Sequence, residues 1–499
     1  MSEAAERPEA IWRRTAPAFV VDEEHILRPD VVVAGAGLTG LATAVLLARA
    51  GHRVAVCEAH RVGAAATGNT TAKLSLLQGS VYGQIRAHAG DDALRAYAAA
   101  QREAAAWVRE NAPADALRRE AAFSYATTPE GEAALEREAE ALAAAGVTAP
   151  WQPVVDAGLP FPVARALRMD DQAALHPLRL LAALAAELRR RGGGIVEGCR
   201  VVGVDDLDSG VRVSTTRGAI DAAHLVVATG SPVIDRAGFF ARLEPSRSIA
   251  AAYAGIDPPQ GMFLSVDPQA RSLRTTEDGR GGTLLIAGGG GYRTGSPHGS
   301  GPVLDELDGW VRRHFPGARR VTWWAAQDYR TVTRVPFAGA EPGERVHAAT
   351  GYDKWGMTNA VAAALAIAGA IAGDEPSWAA ALRAPRIGVR DVATAVGANA
   401  KAAGAMAAGW ADALVSGDDG AELAEGEGRI VRRGARPVGV SRVDGRVCAV
   451  SAVCTHLGGV LRWNGAERSW DCPLHASRFS PEGTVLEGPA TADLAEESA

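Results

Sequence analysis

The feature that most constrains the fold is a glycine-rich turn, Gly35-Ala36-Gly37-Leu38-Thr39-Gly40, between two apolar segments. Before it, Asp30 to Ala34 (DVVVA) is typical of a strand buried in a parallel sheet. After it, Leu41 to Arg49 is rich in alanine and leucine and predicts a helix. A strand, a GxGxxG turn and a helix in this order predict the start of a doubly wound α/β domain.

A second strand, predicted over Arg53 to Cys57, leads into Glu58. The spacing fits a dinucleotide site: Gly35 permits the tight turn, Gly37 lets the backbone approach a pyrophosphate, and Gly40 lets helix and strand pack closely. The helix N-terminus offers free N–H groups to phosphate, and Glu58 can accept ribose hydroxyls. A turn without a ligand is the alternative, and the complete strand–helix–strand–acid order argues against it.

Two later segments favour a flavin as part of the dinucleotide. Leu225 to Gly230 (LVVATG) predicts a buried strand that ends in Ala-Thr-Gly. His347 to Thr358 (HAATGYDKWGMT) is a second glycine-containing turn, before a helix predicted from near Asn359. A helix N-terminus suits the pyrimidine end of a flavin, where negative charge develops on reduction.

These motifs, with Gly68 to Lys73 (GNTTAK), resemble those of the D-amino-acid-oxidase-like family of FAD-dependent oxidoreductases, over roughly residues 30–375. The resemblance implies a split nucleotide-binding domain, an inserted α+β substrate domain and bound FAD. It places the cofactor against Gly35, Ala36, Gly37, Leu38, Thr39, Gly40, Glu58, Thr70, Thr71, Lys73, Val201, Ala228, Thr229, Gly230, Gly351, Trp355, Gly356, Met357 and Thr358.

The sequence offers no second nucleotide site. Gly192 to Gly194 lies between a predicted helix (Leu178 to Arg191) and a strand, and is therefore a turn. Ala287 to Gly291 follows a strand predicted over Thr283 to Ile286, but no helical pattern comes after it. We therefore expect the electrons to come from an organic substrate and not from NAD(P)H.

A second constellation lies near the C-terminus. Cys454-Thr455-His456 is followed by Cys472-Pro473-Leu474-His475, so two cysteines and two histidines stand on two loops between short alternating strands. Zinc is the competing metal. The loops CTHLGG and CPLHASRF closely resemble a Rieske [2Fe–2S] domain, an all-β fold. The resemblance implies that Cys454 and Cys472 hold one iron and that His456 and His475 hold the other.

The cluster loops depart from those of high-potential Rieske proteins. Such proteins carry a disulfide between the loops, where this chain has Gly459 and Leu474, and a Tyr hydroxyl where it has Phe479. Ser477 matches a family serine that hydrogen-bonds a cluster sulfide. Fewer hydrogen bonds stabilise the reduced cluster less. We therefore expect a potential in the lower part of the Rieske range, whose floor is about −150 mV.

Composition limits the partners and the location. The net charge of −6 and the pI near 6.0 argue against a nucleic-acid partner. The N-terminus lacks an apolar signal-peptide core, and the apolar run Ala360 to Ala372 is too short to span a bilayer. We therefore expect a cytoplasmic protein without a membrane span, whose reduced thiols are available to metal.

The chain divides into four parts: an N-terminal extension (1–29), the FAD-dependent oxidoreductase unit (30–375), a helical linker (376–417) with an alanine-rich helix over Asp391 to Leu414, and the Rieske domain (418–499). The predicted function is transfer of a hydride from an amine- or amino-acid-like substrate to FAD. Electrons then pass singly through the cluster to an external acceptor, a protein or a quinone. The alternative is an electron-transfer or redox-sensing module, reduced by a partner protein, without its own substrate.

No catalytic base can be identified from the sequence. Only three residues of the chain are lysine, and Lys73 and Lys354 both fall in segments expected to pass the flavin. A lysine can shift its pKa when buried, which arginine does not imitate, so these two are the catalytic candidates. Asp328, Tyr329 and Arg334 are weaker candidates for the pocket, on a segment that also predicts a strand.

Overall fold

The structure is a computed structural model that describes residues 7–24, 28–153, 158–236, 238–340, 344–383, 397, 404–413 and 422–497. Its helices are α1 (Leu38–Arg49), α2 (Val81–Asn111), α3 (Pro129–Ala144), α4 (Pro177–Arg190), α5 (Gly301–His314), α6 (Gly356–Ala372) and α7 (Ala379–Arg383). Residues 404–413 are also helical.

The strands, in chain order, are β1 (Val31–Ala34), β2 (Val54–Cys57), β3 (Lys73–Leu74), β4 (Leu117–Ala126), β5 (Trp151–Gln152), β6 (Arg165–Leu175), β7 (Gly194–Val196), β8 (Val201–Leu207), β9 (Gly210–Thr215), β10 (Gly218–Ala222), β11 (His224–Val227), β12 (Leu243–Ala254), β13 (Met262–Ser265), β14 (Arg271–Glu277), β15 (Thr283–Tyr292), β16 (Arg319–Thr331), β17 (Phe337–Gly339), β18 (Val346–Thr350), β19 (Gly428–Arg433), β20 (Arg436–Val443), β21 (Arg446–Ser451), β22 (Arg462–Asn464), β23 (Ser469–Asp471), β24 (Arg478–Phe479) and β25 (Val485–Glu487).

The nucleotide-binding sheet has six strands in the order β17-β18-β11-β1-β2-β7. The pairs β1–β2, β1–β11, β11–β18 and β2–β7 are parallel, and only the edge pair β17–β18 is antiparallel. β1 and β2 are buried at every position, as their continuous apolar sequences require. The chain leaves β1 toward β2 on one side and returns to β11 on the other, and this reversal opens a crevice at the carboxyl ends of the strands.

The substrate domain is a nine-stranded sheet ordered β16-β12-β15-β14-β13-β4-β6-β3, with β5 paired to β6. Its strands come from two stretches of chain that alternate with the stretches building the nucleotide-binding sheet. The predicted fold class, an α/β FAD-binding domain with an inserted α+β domain, is therefore confirmed. The C-terminal part is all-β as predicted, with a sheet of β19-β20-β21 and a sheet of β22-β23-β24-β25.

Several element boundaries differ from the sequence prediction. α1 begins at Leu38, three residues early, because Gly37 is extended (φ −82°, ψ −172°) and the N–H of Leu41 already reaches its carbonyl. Ala287 to Gly291 does not follow a strand; it lies within β15, which pairs with β12 and β14 on its two sides. Because β12 and β14 hydrogen-bond to the backbone of the glycine run from both sides, the run stays extended.

Two predicted segments outside the sheets have different outcomes. Most of the linker helix over Asp391 to Leu414 lies outside the described residues, and 404–413 is helical. The N-terminal extension packs into the core through its buried Ala10, Ile11 and Trp12. The Trp12 indole donates a hydrogen bond to the Thr70 carbonyl at 2.8 Å. This part of the extension therefore buttresses a segment expected to pass the flavin.

Candidate active site

A cavity of about 1450 Å³ extends across the carboxyl ends of the nucleotide-binding strands and under the nine-stranded sheet. Its wall includes fifteen of the nineteen residues predicted to contact FAD: Gly35, Gly37, Leu38, Thr39, Glu58, Thr70, Thr71, Lys73, Val201, Ala228, Thr229, Gly230, Trp355, Gly356 and Met357. The other four, Ala36, Gly40, Gly351 and Thr358, are absent from its lining. The wall also includes Leu474 and His475 of the second cluster loop.

The glycine turn is held against Glu58. The Glu58 carboxylate accepts hydrogen bonds from the N–H of Ala36 at 2.7 Å and of His60 at 2.8 Å. Burial raises the pKa of Glu58, and the two N–H donors oppose this shift. Gly40 is needed for packing, since a Cβ there would lie 1.9 Å from the Gly35 carbonyl oxygen. The turn therefore presents its backbone and the N-terminus of α1 to the cavity, as a pyrophosphate site requires.

The loop before α6 lines the cavity with residues predicted to contact the flavin. Asp353 and Lys354 both have left-handed backbones, with φ of 45° and 71°. Asp328, at the end of β16, accepts hydrogen bonds from the N–H groups of Tyr329 and Lys354. Burial raises the pKa of Asp328 to about 6. The two amides that Asp328 binds help to keep this strained loop folded, so that the N-terminus of α6 faces the cavity.

The two lysine candidates occupy different positions in the cavity wall. Lys73 is buried in β3, and its ammonium donates to the Ser272 hydroxyl at 2.7 Å and to the Phe263 carbonyl. Burial, reinforced by the nearby Arg274 charge, lowers the pKa of Lys73 well below its usual value. The Lys354 ammonium reaches across to β15, 3.0 Å from where a Cβ on Gly291 would stand. The structure therefore brings Lys354 to the junction of the flavin end and the substrate sheet.

The four predicted metal ligands lie together at the end of the C-terminal domain. The rings of His456 and His475 are 5.2 Å apart and perpendicular. The Cys454 and Cys472 thiols lie within hydrogen-bonding reach of each other, and this contact lowers the pKa of Cys454 against the effect of its burial. Within the described residues, no three His, Cys, Asp or Glu side chains are placed to hold a single metal ion. Two cysteines and two histidines fit a dinuclear cluster, in which each iron takes two protein ligands.

Backbone donors support this assignment. The N–H groups of His456 and Leu457 point to the Cys454 sulfur, and those of Leu474 and His475 point to the Cys472 sulfur. The Ser477 hydroxyl also donates to Cys454, as the resemblance implied. Such donors stabilise sulfur that carries negative charge, as the cysteine ligands of an iron–sulfur cluster do.

The positions that carry a disulfide in high-potential relatives face each other here. A Cβ on Gly459 would lie 2.6 Å from the side chain of Leu474. Phe479 is fully buried in the hydrophobic core that includes Cys454 and Cys472. An apolar contact and a phenyl ring therefore stand where those relatives have a covalent bond and a hydroxyl.

Comparison with known proteins agrees with this geometry. The family model for FAD dependent oxidoreductases (DAO) matches residues 30–370. The chain belongs to the FAD-dependent oxidoreductase family. A model for the Rieske [2Fe-2S] domain matches residues 417–497. The protein is therefore an FAD-dependent oxidoreductase that carries a Rieske domain, and its cofactors are FAD and a [2Fe–2S] cluster.

One curated relative matches this oxidoreductase over nearly its whole length. It is the putative Rieske 2Fe-2S iron-sulfur protein YhfW of Bacillus subtilis (strain 168), 29% identical over 504 residues that cover 98% of each chain. The cytochrome b6-f complex iron-sulfur subunit of Microcystis aeruginosa is 50% identical over 46 residues, which cover 9% of this chain and 26% of the subunit. The similarity to this relative therefore extends across both domains of the chain.

Solved structures show the fold of the oxidoreductase unit. Glycine oxidase from Geobacillus kaustophilus is similar over 71% of this chain and 96% of its own, with a TM-score of 0.56 and 22% identity. L-proline dehydrogenase from P. horikoshii is similar over 70% of this chain and 95% of its own, with a TM-score of 0.57 and 18% identity. Among the described residues of this chain, none of the helices is long and apolar enough to cross a membrane.

Sequence reasoning missed the contact between the two cofactor regions. The Gln327 amide of β16 donates to the carbonyl of Ala476, the neighbour of His475, at 2.9 Å. The Arg293 guanidinium donates to the Leu474 carbonyl at 3.3 Å. These partners are far apart in the sequence, and no motif indicates that they meet, so only the folded chain reveals the contact.

Proposed function

We propose that this protein oxidises a small amine- or amino-acid-like substrate at FAD and passes the electrons one at a time through its Rieske cluster to an external acceptor. One observation carries the proposal: His475, a predicted iron ligand, lines the same cavity as the residues predicted to bind the flavin. A cavity shared in this way makes transfer between the two cofactors intramolecular.

The cofactors divide the chemistry. Bound FAD supplies hydride acceptance and the conversion of an electron pair into single electrons, which a [2Fe–2S] cluster can carry. The polypeptide supplies two helix N-termini toward the flavin, the Glu58 carboxylate toward a ribose, and the four cluster ligands. The remainder of the cavity, under β12 and β15, is open to a substrate.

The names of structural neighbours support the substrate class. Glycine oxidase, L-proline dehydrogenase and L-amino acid deaminase act on amino acids by their names, and all share the fold of this oxidoreductase unit. We propose an external protein or quinone as the acceptor, and a cytoplasmic location where thiol ligands remain reduced.

Anaerobic titration of the purified holoprotein tests the proposal. Amines and amino acids are added while flavin absorbance and the EPR signal of the reduced cluster are followed. We expect one substrate class to bleach the flavin and then to generate the Rieske-type signal. Reduction by a partner reductase alone, with no response to any small molecule, would instead establish an electron-transfer module.

A cluster-deficient variant separates the two half-reactions. Cys454→Ser should keep FAD and its reduction by substrate, because Cys454 lies outside the cavity wall, but should lose reduction of a one-electron acceptor. Loss of both activities would contradict the proposed order of electron flow.

Lys354 is proposed as the lysine that acts on the flavin, since its ammonium crosses the cavity while that of Lys73 is engaged by β13 and β14. Lys354→Arg should change the rate of flavin reduction or the flavin spectrum. Lys73→Arg is the companion variant, and unchanged reductive half-reactions in both would remove lysine from the mechanism.

A further inference from the structure

A group of buried charges joins the oxidoreductase unit to the Rieske domain. Arg247 of β12 is 3% exposed, and its guanidinium bonds both oxygens of Glu467. It also donates to Glu487 of β25 at 2.9 Å. One arginine of the substrate sheet therefore holds two carboxylates of the other domain.

Arg478 of β24 completes the group from within the Rieske domain. It donates to Asp471 at 2.9 Å, to Glu487 at 3.0 Å and to Glu467 at 2.9 Å. We call Arg247, Glu467, Asp471, Arg478 and Glu487 the interdomain charge cluster. The charges of Glu467 and Glu487 raise the pKa of Arg247 although burial and the Arg478 charge oppose this. Glu467, Asp471 and Glu487 likewise raise the pKa of Arg478 against its burial, so both guanidiniums are charged.

Polar contacts and close backbone approaches surround the cluster. Glu467 also accepts hydrogen bonds from Ser300 at 2.6 Å and Tyr292 at 3.1 Å, both of the substrate domain. A Cβ on Gly295 would lie 2.6 Å from the Pro473 backbone. The two domains are thus in direct contact beside the second cluster loop.

The nucleotide-binding domain holds a second side of the Rieske domain. The His60 ring donates to the Leu486 carbonyl at 3.1 Å, and Arg200 donates to the Val485 carbonyl at 2.9 Å. The nucleotide-binding domain therefore contacts the backbone of β25, while Arg247 of the substrate domain binds the Glu487 side chain of the same strand.

Domains joined by small polar interfaces move relative to each other by default. Here a rotated arrangement that kept the interface closed would bury Arg247 or its carboxylates without partners, which is strongly unfavourable. Buried pairs are also screened little by salt. The interface therefore selects one orientation, which places His475 in the cavity wall.

We propose that the interdomain charge cluster keeps the Rieske domain docked on the oxidoreductase unit in a single orientation, and that Arg247 is a positioning residue for electron transfer to the iron–sulfur cluster. The docking does not depend on the proposed function, whereas the role of Arg247 in electron transfer rests on the proposed function.

The first test uses the wild-type holoprotein. Small-angle scattering should give one compact radius of gyration from about 0.1 M to about 1 M salt, although the Debye length shortens from about 10 Å to about 3 Å. The rate of cluster reduction after flavin reduction should not change when glycerol or sucrose raises the viscosity. A radius that grows with salt, or a rate that falls with viscosity, would establish a mobile domain and overturn the proposal.

The second test uses the double variant Arg247→Met/Glu487→Gln, which removes one charge of each sign. We expect a larger radius of gyration, faster amide hydrogen exchange in β12 and β25, and electron transfer that is slower by about tenfold and sensitive to viscosity, as for a tethered domain. The control is Arg212→Met/Asp221→Asn, which removes an ion pair exposed on the surface of the same unit.

The outcomes separate the two proposals. A docked wild-type protein without electron transfer would refute the proposed function alone. A double variant whose radius of gyration and rate of electron transfer equal those of the wild type would refute the role of Arg247. Bound FAD and the cluster spectrum show that each variant is folded, and Arg247→Lys, which keeps the charge but loses the forked geometry, replaces the double variant should it fail to fold.

Discussion

At the scale of single residues, the chemistry of the cluster depends on which groups surround its sulfur ligands. Backbone N–H groups and Ser477 supply hydrogen bonds, while Phe479, buried in the same core, supplies none. Phe479→Tyr should raise the midpoint potential of the cluster, since a hydroxyl directed at the sulfurs stabilises the more negative, reduced form. One hydrogen bond of about 1 kcal/mol corresponds to a shift on the order of 40 mV for one electron.

Redox titration followed by EPR measures this shift. The wild-type midpoint itself should lie low in the Rieske range, which runs from about −150 to about +300 mV. Phe123→Tyr, in the aromatic pair with Phe263 on the substrate sheet, is the control. A wild-type midpoint near the top of the range would refute the expectation that the cluster potential is low because the disulfide and the Tyr hydroxyl are missing.

At the scale of elements, the nucleotide turn depends on one close approach. A Cβ on Gly40 would lie 1.9 Å from the carbonyl oxygen of Gly35, whose position is fixed by the end of β1. Gly40→Ala should therefore displace the turn from α1 and abolish bound FAD, as measured by flavin absorbance per protein.

A second glycine provides the matched control. Gly309 lies within α5, and a Cβ there would meet no atom within 4 Å. Gly309→Ala should keep FAD and stabilise the helix by roughly 0.5–1 kcal/mol. Stoichiometric FAD in Gly40→Ala would show that the turn tolerates the displacement.

The start of α2 depends on a buried acid from α3. Glu138 accepts hydrogen bonds from the N–H groups of Tyr82 and Gly83, and burial raises its pKa to about 8. An unfolded glutamate has a pKa of about 4.3. Between these values the folded protein holds a proton that the unfolded chain has lost, so stability falls as the pH rises from about 5 to about 8.

Glu138→Gln removes this proton uptake, and its melting temperature should therefore fall less between pH 5 and pH 8 than that of the wild type. The difference in slope is at most about 1.4 kcal/mol per pH unit. Glu140→Gln, on the exposed side of the same helix, should follow the wild type. A Glu138→Gln profile parallel to the wild-type profile would mean that Glu138 is ionised in the fold.

Elements and motifs differ in how far the sequence predicts them. The Gly35 to Gly40 turn depends on residues close in the chain, so its spacing predicted the strand–turn–helix unit, whereas the cluster loops were assigned from their resemblance to a Rieske domain. The glycines of β15 were misjudged because their extended backbone is imposed by β12 and β14, which pair with them from elsewhere in the chain. Arg247 belongs to no motif, and its role follows only from the meeting of two domains.

At the scale of the whole molecule, one cavity is bordered by both cofactor regions. A ligand that fills this cavity should therefore change the properties of the cluster. His475 lines the wall that also includes Gly35 and Lys354. Bound FAD excludes water from this space, and loss of solvation disfavours the more negative, reduced cluster. Removing FAD should therefore raise the midpoint potential of the cluster and alter its EPR spectrum, and adding FAD back should reverse both changes.

ADP, which reaches only the Gly35 and Glu58 end, is the control that should leave the cluster unchanged. Identical cluster potentials and spectra with and without FAD would mean that the two cofactors do not share this cavity in solution.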